Sequence, residues 1–284
     1  MRFPEELALD EAKALEHGIK WTREFFENEG IKTAVIGISG GCDSALTAYI
    51  TTKALGSDNV VGVLMPEEGV TPPEDLNDGK EVIMALGMKR VTLDITPILA
   101  QICRMDAELT DKSNRVAYAN VKARLRMLLL YKEANKLTGL VVGTDDRSEH
   151  ILGYFTKYGD GGVDINVPAY LYKTQVRQLL YYIAKRDGLN VMGRIADKKP
   201  SPQLWAGQTA ENELNMNYIE LDRALYYMKD SGYEIPTNEL VKRTGIKSEV
   251  ADKITFMEHK NAHKNLQPPS PPLLDSLKTR VKIV

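Results

Sequence analysis

The chain is expected to fold as an α/β protein with a doubly wound parallel sheet, and three features of the sequence carry that expectation. Short apolar runs bounded by turn residues alternate with longer amphipathic stretches, as in strands joined by crossover helices. One run, Ala34 to Ile38, stops at Ser39-Gly40-Gly41 and gives way at once to a helical stretch. Another, Leu140 to Gly143, is followed directly by Thr144-Asp145-Asp146-Arg147-Ser148-Glu149. Ligands of a doubly wound sheet bind beyond the carboxyl ends of the strands, where the winding reverses. The fourth strand should therefore lie beside the first, with Thr144 to Glu149 facing the glycine turn.

Taken in order, Leu7 to Asn28 reads as an amphipathic helical lead-in broken near Gly18, with Leu7, Ala8, Ala12, Leu15, Ile19, Phe25 and Phe26 on its apolar side. The first strand and glycine turn follow. Asp43 and Ser44 then offer side-chain oxygens to the free amides of a helix whose apolar stripe is Ala45, Leu46, Ala48, Tyr49 and Ile50. Asn59 to Met65 is a second buried strand closed by Pro66, Thr71 to Asp78 a loop, Gly79 to Leu86 a helix ended by Gly87, and Lys89 to Ile95 a third strand. The longest helix should run from Arg115 to Leu137, with Val121, Leu125, Leu128 and Leu129 inward and Gly139 just past its end.

The 284 residues suffice for one large core without disulfides, and the net charge of -2 gives no basic surplus that would suggest a nucleic-acid partner. Cys42 and Cys103 are too few and too far apart for a disulfide scaffold or a Cys-x-x-Cys site, which fits a reducing, cytoplasmic setting. Acidic residues crowd the start, unlike a signal peptide, and no run is long and apolar enough for a membrane span.

A strand, glycine turn and helix leave backbone N–H groups converging at a helix N-terminus, where phosphate oxygens can be held. Asp43 stands where the nucleotide-triphosphatase loop needs a lysine, and the G-x-G-x-x-G fingerprint is not matched. An anionic Asp43 beside phosphates implies an intervening metal. A helix starting near Asp145 would set Asp145 and Glu149 one turn apart, so that Glu149 could join Asp43 on magnesium. The stretch Ser39 to Ser44, S-G-G-C-D-S, resembles the pyrophosphate loop of ATP pyrophosphatases.

Together with that loop, G-T-D-D-R-S-E-H-I-L-G-Y-F-T-K-Y-G-D-G-G-V-D from Gly143 to Asp164 resembles the NAD synthetases. Asn120 to Met127, Leu171 to Val176 and Glu258-His259-Lys260 match that family in the same order. The resemblance implies a Rossmann-like sheet of the adenine nucleotide alpha-hydrolase type in a single domain spanning 1–284. Within it lie N-terminal helices at 1–30, a core sheet at about 30–195, and a C-terminal loop, helices and arm at 196–284. It also implies that Gly37, Ile38, Ser39, Gly40, Gly41, Cys42, Asp43 and Ser44 hold ATP with Thr144, Lys173 and Ser201. Asp43 and Glu149 would bind Mg2+, and Arg124, Lys157, Asp164, His259 and Lys260 would bind deamido-NAD. Asp160 would stand where ammonia is received, either accepting a proton or orienting the donor. Arg124 and Lys157 suit a substrate with a diphosphate and a carboxylate, and Lys173 offsets charge building on phosphate during transfer.

The reaction implied by the resemblance has two steps: the pyridine carboxylate of deamido-NAD attacks ATP to give an acyl-adenylate and pyrophosphate, and ammonia then displaces AMP. Family members that use glutamine carry a separate amidase domain, for which there is no room before the loop, so ammonia is the expected direct donor. A homodimer is expected by the same resemblance. Pro200-Ser201-Pro202-Gln203-Leu204 replaces the family's usual P-T-A-D-L, and the stretch after Met65 departs from its Pro-Tyr-Gly. Gly207-Gln208-Thr209 suggests a loop ordering over ligand. Cys42, at a helix start, sits where thiol pKa values fall, yet an RNA sulfur transferase would need a second thiol and basic charge. His259 and His263 lack a third zinc ligand, and Pro268 to Pro272 suits an extended arm. The alternatives are another adenylating amidotransferase or sulfur transferase of the same loop class, or an ATP-sensing module without catalysis.

Overall fold

The computed structural model describes residues 3–199, 216–231 and 236–266. Its sheet has five parallel strands: β1 (Thr33–Gly37), β2 (Val60–Leu64), β3 (Lys89–Thr92), β4 (Gly139–Gly143) and β5 (Ile165–Asn166), in the order β3-β2-β1-β4-β5. The chain winds from β1 through β2 to β3 and then returns to lay β4 on the other side of β1. The winding therefore reverses between β1 and β4, whose register pairs Ile36 with Val142.

Both faces of the sheet are covered, and the period-2 alternation of the strands assigns residues to each. Ala34 and Ile36 pack on one side with α1 (Glu11–Glu29), α2 (Cys42–Leu55), α3 (Pro73–Ala85), and later with α7 (Lys173–Asp187) and α8 (Asn190–Ala196). Val35, Val61, Val63 and Val141 face the other way, onto Leu130, Tyr131 and Ala134 of α5 (Arg115–Leu137). A second apolar core joins α6 (Arg147–Leu152), α9 (Tyr218–Leu225), α10 (Thr237–Thr244) and α11 (Ser248–Asn261) with Leu7, through Leu152, Tyr172, Leu221, Leu225, Leu240 and Ile254.

Several expectations are corrected. The lead-in is not broken at Gly18: α1 runs through it, because the missing side chain admits the Tyr170 hydroxyl, which donates to the Ala14 carbonyl at 2.9 Å. A Cβ at Gly18 would lie 2.5 Å from that oxygen. The loop expected over Thr71 to Asp78 is mostly helix, since Pro73 sits at the first helical position with Glu74 and Asp75 in the first turn. β3 stops at Thr92, and α4 (Thr96–Met105) was not foreseen. Leu128 points outward at 58 % exposure while Leu125 and Leu129 are buried. The left-handed cap of α5 is Thr138, with φ 50°, and Gly139 is instead the close-approach residue, where a Cβ would meet the Thr33 carbonyl at 2.7 Å. The helix expected to begin near Asp145 begins at Arg147.

Candidate active site

The glycine turn is shaped by steric necessity. Gly40 has φ 81°, and a Cβ there would stand 2.1 Å from the Asp75 carbonyl oxygen at the start of α3. Only glycine permits this crossing. The turn is then locked from within: the Ser39 amide donates to Ser44 Oγ at 3.2 Å, the Gly41 amide to Ser39 Oγ at 3.2 Å, and Ser44 Oγ to the Gly41 carbonyl at 3.1 Å. Lys198 Nζ reaches the Gly40 carbonyl at 3.3 Å and pairs with Asp75 and with Asp78 at 2.5 Å, fastening the turn to α3. The first N–H groups of α2, from Cys42 to Ser44, have no intrahelical acceptor and open at this turn.

Opposite it stands the acidic end of β4. Asp146 caps α6: its carboxylate accepts from the Glu149 amide at 2.9 Å, and Glu149 accepts from the Asp146 amide at 3.2 Å, a reciprocal capping box. Lys173, the first residue of α7, points between the two strand ends. Its Nζ lies 2.7 Å from Asp43, 3.0 Å from Asp146 and 3.0 Å from Glu149, with the side chain 2 % exposed. Asp222 of α9 supports this corner by accepting from Ser148 Oγ at 2.6 Å and from the Thr174 amide at 2.7 Å.

Three carboxylates share one ammonium, so negative charge is in excess whenever all of them are ionised. Burial would lower the proton affinity of Lys173, but Asp146, Asp43 and Glu149 outweigh it and hold the amine well above its usual range. Burial pushes Asp146 up to about 7, with Lys173 opposing, and drives Glu149 well above the ordinary carboxylate range. Asp222 is raised by burial to about 6, against its hydrogen bonds. Asp43 Oδ1 is buried and accepts no hydrogen bond among the described residues. A divalent cation would cancel the surplus charge and occupy that lone pair, so this donor set suits Mg2+ completed by phosphate oxygens and water.

A cavity of about 490 Å³ opens between the two strand ends and extends under α5, the 154–162 segment and the end of α11. Gly37, Ile38, Ser39, Asp43, Thr144, Glu149, Asp160 and Lys173 line it. Asp160 accepts from the Thr156 amide at 2.9 Å and is raised by burial. Gly40, Gly41, Cys42 and Ser44 form the turn beside it. Arg124, Lys157, Asp164, His259 and Lys260 are not brought to the cavity wall. Arg124 is exposed on α5 near the Lys157 carbonyl, while Lys157 donates to the His263 carbonyl at 2.6 Å. Asp164 accepts from the Val141 amide at 2.7 Å and from the Tyr131 hydroxyl at 3.1 Å, tying β4 to α5. His259 and Lys260 are exposed on α11. Ser201, the P-S-P-Q-L stretch, Gly207 to Thr209 and the proline-rich arm lie outside the described residues.

Burial pushes the Cys42 thiol up to about 12, the opposite of what a helix start alone suggests, and its sulfur donates to the Ile195 carbonyl at 3.4 Å. The thiol is a packing group. Sequence reasoning turned Asp145 toward the glycine turn without giving it a role and missed Asn120, Arg126 and Lys264, all four of which line the cavity, as well as the capping role of Asp146 and the support from Asp222. Asn120 and Arg126 share α5 with Arg124 and face the cavity instead, a distinction that helical phase could have flagged. The departure after Met65 also acquires a partner: Glu67 is buried in an ion pair with Lys122 of α5 at 2.6 Å.

The sequence model of a family described as NAD synthase matches residues 14–268. Among curated proteins, an NH(3)-dependent NAD(+) synthetase from Methanosarcina acetivorans is 40 % identical over 265 residues, covering 93 % of this chain and all of the relative. Among solved structures, an NMN synthetase from Francisella tularensis superposes with a TM-score of 0.78 at 30 % identity, covering 94 % of this chain and 100 % of the other. An NH3-dependent NAD synthetase from Campylobacter jejuni, solved with nitrate, gives 0.73 at 26 % identity, covering 93 % and 100 %.

Proposed function

As the chain belongs to the NAD synthase family, a family of ligases, we propose that it converts deamido-NAD to NAD by ATP-dependent amidation, with ammonia as donor and AMP and pyrophosphate as products. The observation that carries this reading is the meeting of the glycine turn and the acidic end of β4 around Lys173, at the switch point of the sheet.

The residues divide the work. The amides of the glycine turn and the start of α2, with Thr144, hold the ATP phosphates, and Ser201 is assigned to the nucleotide by resemblance alone. Lys173, fixed by its carboxylates, presents a permanent positive charge toward the oxygens where charge builds as the α–β phosphoanhydride bond breaks. Asp43 and Glu149 would hold Mg2+, whose chemistry when bound is to neutralise phosphate oxygens. An oxygen of the pyridine carboxylate attacks the α-phosphorus and pyrophosphate departs. The ammonia nitrogen then attacks the acyl carbon, AMP leaves with the bonding pair, and we assign Asp160, which lines the cavity, to orient the donor or take its proton. No protein nucleophile is needed, which agrees with the inert Cys42.

By resemblance, Arg124, Lys157, Asp164, His259 and Lys260, which lie outside the wall, are assigned to the remote half of the dinucleotide. We assign a homodimer, supported by Leu128, which stands 58 % exposed on α5 one turn from Arg124. A cytoplasmic setting is supported by the free thiols Cys42 and Cys103. No helix among the described residues is long and apolar enough to cross a membrane.

The test incubates the protein with ATP, magnesium and ammonium, and with either deamido-NAD or the corresponding mononucleotide acid. NAD and AMP appearing in equal amounts with deamido-NAD is the expected result. Turnover of the mononucleotide alone would reassign the substrate, and AMP formation with neither acid would overturn the reading.

A further inference from the structure

Asp145 and Asp146 are chain neighbours in opposite circumstances. Asp146 is capped, capping and ion-paired to Lys173. Asp145 is 6 % exposed, lines the cavity, and among the described residues accepts no hydrogen bond and makes no ion pair. Its carboxylate opens on the cavity and, among the described residues, takes no part in holding the fold together. Nothing in α6 requires it, because the cap belongs to the next residue. A carboxylate of this kind is retained where a cation arrives from outside.

The groups around Asp145 say which cation. Asp160, Glu149 and Asp146 add negative charge, and Lys173 is the opposing cation, already shared among Asp43, Asp146 and Glu149. Burial and then the negative charge of Asp160 raise the proton affinity of Asp145, which puts Asp145 within electrostatic reach of Asp160. On the neighbouring wall the amine of Lys264 is held by the carbonyls of Gly153 at 2.7 Å and Phe155 at 2.8 Å, which shows that this end of the cavity accepts an ammonium group on carbonyl oxygens. Arg126 lines the cavity further along, its Nε 3.4 Å from the Met65 carbonyl.

We propose that Asp145 is an ammonium-binding residue, which together with Asp160 draws the amino donor into the cavity as its cation. The inference rests on the amidation reading and adds to it a second carboxylate, one with no role in holding ATP. Lys264 offsets part of the charge of Asp160, whereas Asp145 adds a carboxylate without an ion pair among the described residues; the two carboxylates concentrate a small cation that carries several N–H donors and leave an uncharged nucleophile without preference.

The experiment compares the full-length protein with Asp145→Asn, a change that keeps shape and removes charge. Steady-state NAD formation is measured against ammonium, and AMP release against hydroxylamine, an amine uncharged at neutral pH that yields the hydroxamate in place of NAD. Exchange of labelled pyrophosphate into ATP, driven by deamido-NAD without ammonium, reports the first step. The expected result is a KM for ammonium raised about tenfold or more, with exchange within about twofold of the parent and hydroxylamine turnover little changed. The melting temperature should be equal to or above that of the parent, because an unpaired buried charge is removed. An unchanged ammonium KM overturns the proposal, and so does a parallel loss of exchange, which would place Asp145 at the nucleotide. A markedly lower melting temperature, or failure to fold, also overturns it, since the carboxylate would then be structural. If the parent itself forms no NAD, it is the amidation reading that fails.

Discussion

The Lys173 cluster and the Asp145–Asp160 wall of the cavity lie a few residues apart and treat negative charge in opposite ways. Around Lys173 every carboxylate has a partner in the protein, and its geometry is fixed before any ligand arrives. At the cavity wall, Asp145 has no hydrogen-bonding or ionic partner among the described residues, while Asp160 accepts from the Thr156 amide and has Lys264 as its nearby cation. The contrast separates a preorganised electrostatic device, which must not relax during phosphoryl chemistry, from a receptor that becomes satisfied only when its ligand binds.

Breaking the first region should produce the largest effect. Lys173→Met leaves three carboxylates clustered without their cation, and we expect a stability loss of about 3–5 kcal/mol in chemical denaturation together with loss of pyrophosphate exchange. Asp43→Ala and Glu149→Ala should abolish exchange, by about 100-fold or more, while far-ultraviolet circular dichroism stays that of the parent. Near-parental exchange in either variant would remove that residue from the metal site.

A smaller effect concerns pH. Asp222 has a folded-state pKa of about 6, raised from 3.8 chiefly by burial. Its contribution to stability is therefore fully present below about 3.8 and is lost as pH rises through about 6. Asp222→Asn should flatten the fall in melting temperature between these values, and an unchanged slope would show that another group sets it. Smallest of all, the raised pKa of Cys42 predicts that iodoacetamide modifies Cys103 first at mildly alkaline pH, read by peptide mass spectrometry.

The parts of the site legible in the sequence were those encoded by local chemistry. S-G-G-C-D-S could be read because a glycine turn between a buried strand and a helix has few other uses, and G-T-D-D because acids directly after a strand mark its carboxyl end. The family match through F-T-K-Y-G-D-G-G added roles that no periodicity could supply. What escaped depended on partners distant in the chain. Asp222 meets Ser148 across 74 residues, Lys264 reaches Gly153 across 111, and Glu67 pairs with Lys122 on a helix that begins far downstream. The start of α3 at Pro73 was misread because two prolines and two acids resemble a loop until the first helical turn is recognised.

By itself the sequence determined the α/β class, the pairing of β1 with β4 and the position of the glycine turn. These follow from residue period, from backbone sterics and from the handedness of parallel crossovers. Tertiary structure alone decided which of the twin aspartates is tied into the fold and which is left open. That choice turns on where Lys173 arrives from a helix starting 27 residues after Asp146, and electrostatic partnership depends on distance in space and not along the chain.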